Sequence, residues 1–372
     1  QAGQHREALT TLQMALEIYK SLGDRNGEGA AYANLGLAYF SLGDYRQAIE
    51  FHNKELEIAL ESSNQSREGA VYANLGIAYL SLGDYRQAIE FHNKDLMIAT
   101  ELEERGSEGR AYGNLGNAHY DLGDYRQAIE FHEQRLEVAI ELGDRSGEGR
   151  AYYNLGLAYL SLGNYRRAIE FQEHQLAITL ELRDRSGEGR AYHNLGLVYD
   201  ALGNYQQAIL LYEKYLAIAL QLEERGGAGT AYNSLGIAYD KLGDYQQAIS
   251  LYEKSLEIAL ELGDRSSEGV AYGNLGLSYN NLGNYQRAVS FYERHLATAL
   301  ELGNRDGAGN AYNNLGGIYL DLGNFEEAEK VLFNAISVRE SIRENLQKDV
   351  NKISIFDTQV NAYQGLAQAL IK

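Results

Sequence analysis

Three histidines, His52, His92 and His132, stand 40 residues apart, and three arginines, Arg110, Arg150 and Arg190, keep the same interval. Imidazoles are common metal ligands and proton carriers near neutral pH, and guanidinium forks pair carboxylate or phosphate bidentately. A third series, Asn34, Asn74, Asn114, Asn154, Asn194, Asn274 and Asn314, returns at that interval and is interrupted by Ser234. A side-chain amide donates and accepts at once, so a row of them can hold a peptide backbone whatever its side chains. The histidines read as packing, because later copies carry Gln172, Tyr212, Tyr252 and Tyr292 at their site. Stacked helices also set successive imidazoles about 10 Å apart, too far to share a zinc. No Gly-rich phosphate loop, paired-carboxylate site or Ser-His-Asp order stands out. The expectation is a protein with no cofactor, no metal and no catalytic residues.

What must position these side chains is a repeat. AYxNLGxAYxxLGxYxxA runs from Ala31 to Ala48 and recurs every 40 residues in eight copies, with the glycine of Gly36 through Gly316 in every one. A fixed period of this length marks a solenoid, not a globule. At 100° per residue Tyr32, Leu35, Gly36 and Tyr39 fall within about 100° of one helix face, the packing face. Leu42-Gly43-Asp44 ends that helix, with glycine fit for a left-handed position and Asp44 capping the next helix, expected over about Tyr45 to Leu60. The joint Glu141 to Gly149 offers Asp144 as the cap of an early-starting first helix. Of the 30 tyrosines, those at the sites of Tyr32, Tyr39 and Tyr45 are framework. The predicted fold is all-α, a right-handed superhelical solenoid of antiparallel helix pairs. A partial first repeat (1–28) precedes units starting near 29, 69, 109, 149, 189, 229, 269 and 309 and ending at 347. Residues 348–372 begin a degenerate ninth repeat or a linker to a further domain.

Composition narrows the partners. With 372 residues and a net charge of −19, the surface as a whole suits neither nucleic acid nor an anionic membrane. The absence of cysteine excludes disulfides and thiolate chemistry. No apolar run reaches the roughly 18 residues that span a bilayer, and QAGQHREALTT has no signal-peptide pattern, so a cytoplasmic location is expected.

The spacing of Tyr32, Leu35-Gly36, Tyr39 and Ala48 resembles the tetratricopeptide repeat, and the match covers nearly the whole chain. The family's closing proline is missing, and Glu55, Arg135, Tyr215 and His295 stand where alanine is usual. The 40-residue unit and the wording GDRxGEGRAYxNLGxAY are similar to the long-repeat subclass of the Pins/LGN polarity adaptors, which implies an extended peptide held in a concave groove. Similar Asn ladders bind extended peptide in the repeat region of O-GlcNAc transferase. After Leu332 the repeat loosens, and the tail that follows to Lys372 resembles the junction between such repeats and a caspase-like CHAT domain. That resemblance implies the alternative function, a regulatory arm that binds its own downstream domain or an activator. End-to-end self-association through the end faces Ala8–Leu16 and Ile355–Leu370 is a third, structural reading.

The side opposite the packing face gives the candidate groove, at the sites of Ala30, Ala33, Asn34, Leu37, Phe40 and Ser41. Its first zone is apolar, with Leu37, Phe40, Ile77 and Leu80 beside Ala30 and Ala70; its middle carries Arg110, Arg150 and Arg190 with Tyr153 and His193; its last is amide-rich around Asn233. The arginines either meet a ligand carboxylate or pair with Glu108, Glu148 and Glu188. Exposed ion pairs give about 0.2–1 kcal/mol each, whereas millimolar binding already needs about 4. An acidic stretch would therefore also need the amide ladder and the apolar zone. The expected function is a non-catalytic scaffold binding an extended, partly acidic peptide or partner protein.

Overall fold

A computed structural model describes residues 2–346; the expected ninth repeat or linker and the end face Ile355–Leu370 lie outside the described residues. Among the described residues there are seventeen helices and no strand. The first is α1 (Ala2–Leu22). First helices of the repeats are α2 (Arg25–Ser41), α4 (Gln65–Leu82), α6 (Arg105–Leu122), α8 (Arg145–Ser161), α10 (Arg185–Ala201), α12 (Arg225–Lys241), α14 (Arg265–Asn281) and α16 (Arg305–Asp321). Second helices are α3 (Tyr45–Glu61), α5 (Tyr85–Glu101), α7 (Tyr125–Leu142), α9 (Tyr165–Glu181), α11 (Tyr205–Gln221), α13 (Tyr245–Leu262), α15 (Tyr285–Glu301) and α17 (Phe325–Leu346).

The turns within the repeats, and half of the joints between them, follow from two residues. Gly43 takes φ 78° after α2, and Asp44 then accepts from the Gln47 N–H at 3.1 Å to cap α3. A left-handed residue satisfies the open carbonyls of the finished helix while the side chain satisfies the open N–H groups of the next. The joint back to the following first helix works likewise: Gly143 has φ 65° and Asp144 accepts from the Gly147 N–H at 2.9 Å. First helices thus start well ahead of the repeated AYxNLG stretch.

The chain divides into two compact units, residues 1–187 and 188–372. In the first, each first helix packs on its own second helix and each second helix on the next first helix, and α4 touches α6 as α6 touches α8. In the second, α12 to α17 repeat the scheme, with α12 touching α14. The framework residues do what their spacing implies: Leu35, Leu75, Ala48 and Ala88 are fully buried. Tyr39 stacks on Phe51 at 5.3 Å and Tyr79 on Phe91 at 5.3 Å, tying the two helices of one repeat face to face. The constant glycine is a seat for the second helix. A Cβ on Gly36 would lie 2.5 Å from the His52 ring, and Tyr252 sits over Gly236 in the same way.

Candidate functional site

The arginine that opens each first helix is a clamp. Arg25 bonds Glu28 at 2.8 Å, one turn on, and Glu61 at 2.5 Å, at the end of the second helix of the same repeat. Arg105 holds Glu108 and Glu141, Arg145 holds Glu148 and Glu181, and Arg265 holds Glu268 and Glu301. Hydrogen bonds to these carboxylates raise the Arg105, Arg145 and Arg265 guanidinium pKa above its ordinary value and lower that of Glu141 and Glu181. Glu108 and Glu148 are therefore committed, and their pairing is with Arg105 and Arg145 rather than with Arg110 and Arg150.

Arg110 and Arg150 are exposed on the first-helix wall. Arg110 donates to the Ser107 hydroxyl at 2.9 Å, and Arg150 lies 3.8 Å from an Asp144 carboxylate oxygen. In the second unit Arg190 is exposed as well, near enough to Tyr215 to favour its phenolate although burial raises that phenol's pKa overall.

The amide ladder divides in two. Asn154 donates to Asn117 Oδ1 at 3.1 Å and Asn274 to Asn233 Oδ1 at 2.8 Å, each bond reaching back to the preceding first helix. Asn194 is buried. Asn34 and Asn314 are exposed and Asn74 and Asn114 half-buried. The structure gives these last four side-chain amides no hydrogen bond within the described residues.

Of the apolar zone, Leu37 is exposed and Ile77 and Leu80 are half-buried, while Phe40 packs its ring on Tyr45 at 5.3 Å. Tyr153 is half-buried, and its backbone carbonyl accepts from Gln172 at 3.2 Å. His193 Nε2 lies 3.2 Å from Ser234 Oγ, with its ring against Tyr212 and Tyr215 at 5.7 and 5.0 Å. Burial pushes this imidazole down to about 4, so at neutral pH it is an uncharged packing and hydrogen-bonding group.

Between α4 and α6 the wall opens into a crevice of about 420 Å³ that contains Asn74, Ile77, Arg110 and Asn114 together with Asp95 and Arg135 from the second helices. The last two were not among the sequence candidates. Asp95 is 8% exposed, and burial pushes its carboxyl up to about 6, with Arg110 opposing and Glu104 adding to the shift. Arg135 lies over Gly113, where any side chain would collide with it, and burial lowers its pKa. The signal for both was the site where the tetratricopeptide repeat that the sequence resembles usually has alanine: Glu55, Asp95, Arg135 and Gln175 there are polar. A second crevice of about 410 Å³ opens at the equivalent place between α12 and α14. It is uncharged at that site, since Ser255 donates to the Gly229 carbonyl at 2.9 Å.

Repeated helix pairs that contact their chain neighbours, with a wall of first-helix side chains along each unit, define a helical-repeat protein. A tetratricopeptide-repeat model matches residues 1–61, 67–141, 147–221 and 267–341, and further repeat models match 114–174 and 230–259. The chain belongs to the tetratricopeptide repeat family. Among curated proteins no sequence relative matches. Among solved structures it is similar to the apo form of the quorum sensor NprR from B. thuringiensis, with a TM-score of 0.64 and 18% identity over 91% of this chain and 98% of that one. It is also similar to a Rap protein complexed with Competence and Sporulation Factor, with a TM-score of 0.56 and 16% identity over 92% and 98%. A third likeness is to a signal transduction ATPase with numerous domains and a tetratricopeptide repeat sensor from Pyrococcus horikoshii. There the TM-score is 0.64 and the identity 16%, over 93% of this chain and 55% of that one. At these identities the likeness is one of fold. Among the described residues no helix is long and apolar enough to cross a membrane, and no three His, Asp or Glu side chains converge.

Proposed function

We propose that the chain is a non-catalytic interaction scaffold whose first-helix walls bind an extended, partly acidic peptide or a partner protein. The observation that carries this is the division of labour among the arginines. Those at the helix starts take up the buried glutamates Glu108 and Glu148, and Arg110 and Arg150 are left on the exposed wall. A planar guanidinium in that setting suits a ligand carboxylate, and the half-buried amides of Asn74 and Asn114 suit the backbone on either side of it. The likeness in fold to a Rap protein complexed with a bound factor supports the reading.

Peptide selection from a randomised display library tests the reading, with Arg110, Arg150 and Arg190 replaced by alanine as the comparison. Acidic peptides enriched on the parent chain and lost on the variant are the expected result. Equal enrichment on both removes the arginines from the site. A second reading, the sensor arm of a larger signalling protein, is favoured by the likeness to the multidomain ATPase with its repeat sensor. On that reading the groove engages a domain of the same protein, and the library yields no consensus.

A further inference from the structure

Two neighbouring gaps of the first unit are built on corresponding positions, and the arginine that closes the first has no counterpart at its position in the second, where Arg110 and Arg135 stand in place of Ala70 and Asp95. Between α2 and α4, the Glu55 carboxylate of α3 faces the gap, and Arg67 from the first turn of α4 reaches across to it, Nε to Oε1 at 3.7 Å. The Arg67 guanidinium lies directly over Gly29, where a side chain of any kind would collide with it. The gap is filled by the protein's own arginine. One repeat on, Asp95 takes the place of Glu55 and Gly69 that of Gly29, but Ser107 stands where Arg67 stood. Here the gap is the open crevice of about 420 Å³. Asp95 Oδ1 is 3.5 Å from where a Cβ on Gly69 would be, and no hydrogen bond or ion pair within the described residues reaches this carboxylate, which is 8% exposed.

We propose that the crevice between α4 and α6 takes the guanidinium of a ligand arginine, seated over Gly69 against the Asp95 carboxylate as Arg67 is seated over Gly29 against Glu55. A buried carboxylate without a partner is costly, and the protein keeps one here although serine is accommodated at the same site of α13. Arg110 tempers the cost from a distance but makes no ion pair with Asp95, since it is exposed at the rim and bonded to Ser107. It is placed to meet an acidic ligand residue next to the arginine. The crevice of the second unit, with Ser255 and Val270 in place of Asp95 and Arg110, offers neither contact. The recognised element is therefore an arginine with an Asp or Glu beside it. The proposal rests on the reading of the first-helix wall as a peptide-binding surface, and its test separates the two.

The experiment is the same randomised peptide display, run on the parent chain, on Asp95→Asn, and on Ser107→Arg, which supplies in the chain itself the arginine that the crevice lacks. Asp95→Ser, which copies Ser255, replaces Asp95→Asn if that variant does not melt cooperatively. The expected result is an arginine in the consensus of the parent that disappears with both variants while the rest of the consensus persists. The best peptide should bind Asp95→Asn about tenfold to a hundredfold more weakly, the range for one hydrogen bond to a charged group. A consensus without arginine, or an arginine that survives Asp95→Asn, overturns the subsite and leaves the groove standing. No consensus from any of the chains overturns the free-peptide reading of the wall and the subsite with it.

Discussion

The His52 imidazole and the Glu55 carboxylate meet across one turn of α3, Nδ1 to Oε2 at 3.2 Å, and both are buried. His92 and Asp95 keep the same spacing on α5, but aspartate is one methylene shorter, and both ring nitrogens of His92 are buried without a partner. Burial alone then pushes His92 down to about 4. Lengthening the acid by Asp95→Glu brings a carboxylate within reach of the ring and favours imidazolium, so the His92 titration should move upward. Imidazole resonances followed by NMR between about pH 3 and 7 check it. An unmoved titration would mean that the longer carboxylate turns away from the ring into the crevice.

Asp95 itself makes stability depend on pH with a sign that can be worked out. Its carboxyl is raised from 3.8 to about 6, so the folded chain holds this proton more tightly than the unfolded one. The penalty is in full force above about pH 6 and fades as pH falls towards about 4. The charged and titratable groups that line the crevice with it are Glu104 and Arg110 from the α6 side and Arg135 from α7, and α4 contributes none; His92 stands one turn before it on its own helix. Asp95→Asn should therefore stabilise the chain by about 1–3 kcal/mol near pH 7.5 and by much less near pH 4. His92 and His132, both lowered by burial, pull the other way as pH falls, but they are common to both chains and cancel in the difference. Denaturant melts at the two pH values decide it, and a gain of the same size at both removes the charge from the explanation.

The glycine that recurs in every copy is a contact, and its energy is measurable. A methyl on Gly76 collides with the His92 ring as one on Gly36 would with His52. Gly76→Ala is expected to cost about 1–3 kcal/mol, the usual range for overpacking a closed core. His92→Ala removes the obstruction, so the double variant should lose less than the sum of the two single ones, since the residues share one contact. Additive losses would place the collision elsewhere.

The sequence made the period, the helix pairs and the packing face legible, because Tyr32, Leu35, Gly36 and Tyr39 repeat at helical spacing and cannot be buried except together. It also made the exposed wall legible as the complement of that face: Arg110, Arg150 and Asn34 are where the spacing puts them. What spacing does not carry is partnership. Arg105 and Arg110 are both basic residues near Glu108, and which of them takes it depends on Glu141, 36 residues beyond Arg105 at the end of α7. The ladder amide of Asn154 looks like that of Asn114 in the sequence, yet a repeat neighbour, Asn117, occupies it. Asp95 and Arg135 were visible as departures from alanine. Their meaning lay in the empty place left by Ser107, which only the comparison of two crevices in space discloses.

The joints between repeats differ in their left-handed residue and in their cap. Gly263 takes the left-handed conformation at φ 66° and Asp264 caps α14 through the Ser266 and Ser267 N–H groups at 3.1 Å. At the corresponding joint before α12, Glu223 is held at φ 56° and Glu224 makes no capping bond. A side chain in the left-handed region costs about 1 kcal/mol, and a missing side-chain cap about as much. Glycine's extra freedom in the unfolded chain returns part of the first gain. Glu223→Gly with Glu224→Asp, which copies the Gly263–Asp264 joint, is therefore expected to raise stability by about 1–2 kcal/mol, a shift of a few degrees in Tm for a chain of this size. Glu223→Gly alone should account for less than half of the gain, because that substitution relieves the backbone and leaves the amides of Gly226 and Gly227 uncapped. Calorimetry on the two variants separates the contributions. A double variant no more stable than the parent would show that the two glutamates are held by interactions that outweigh the backbone cost.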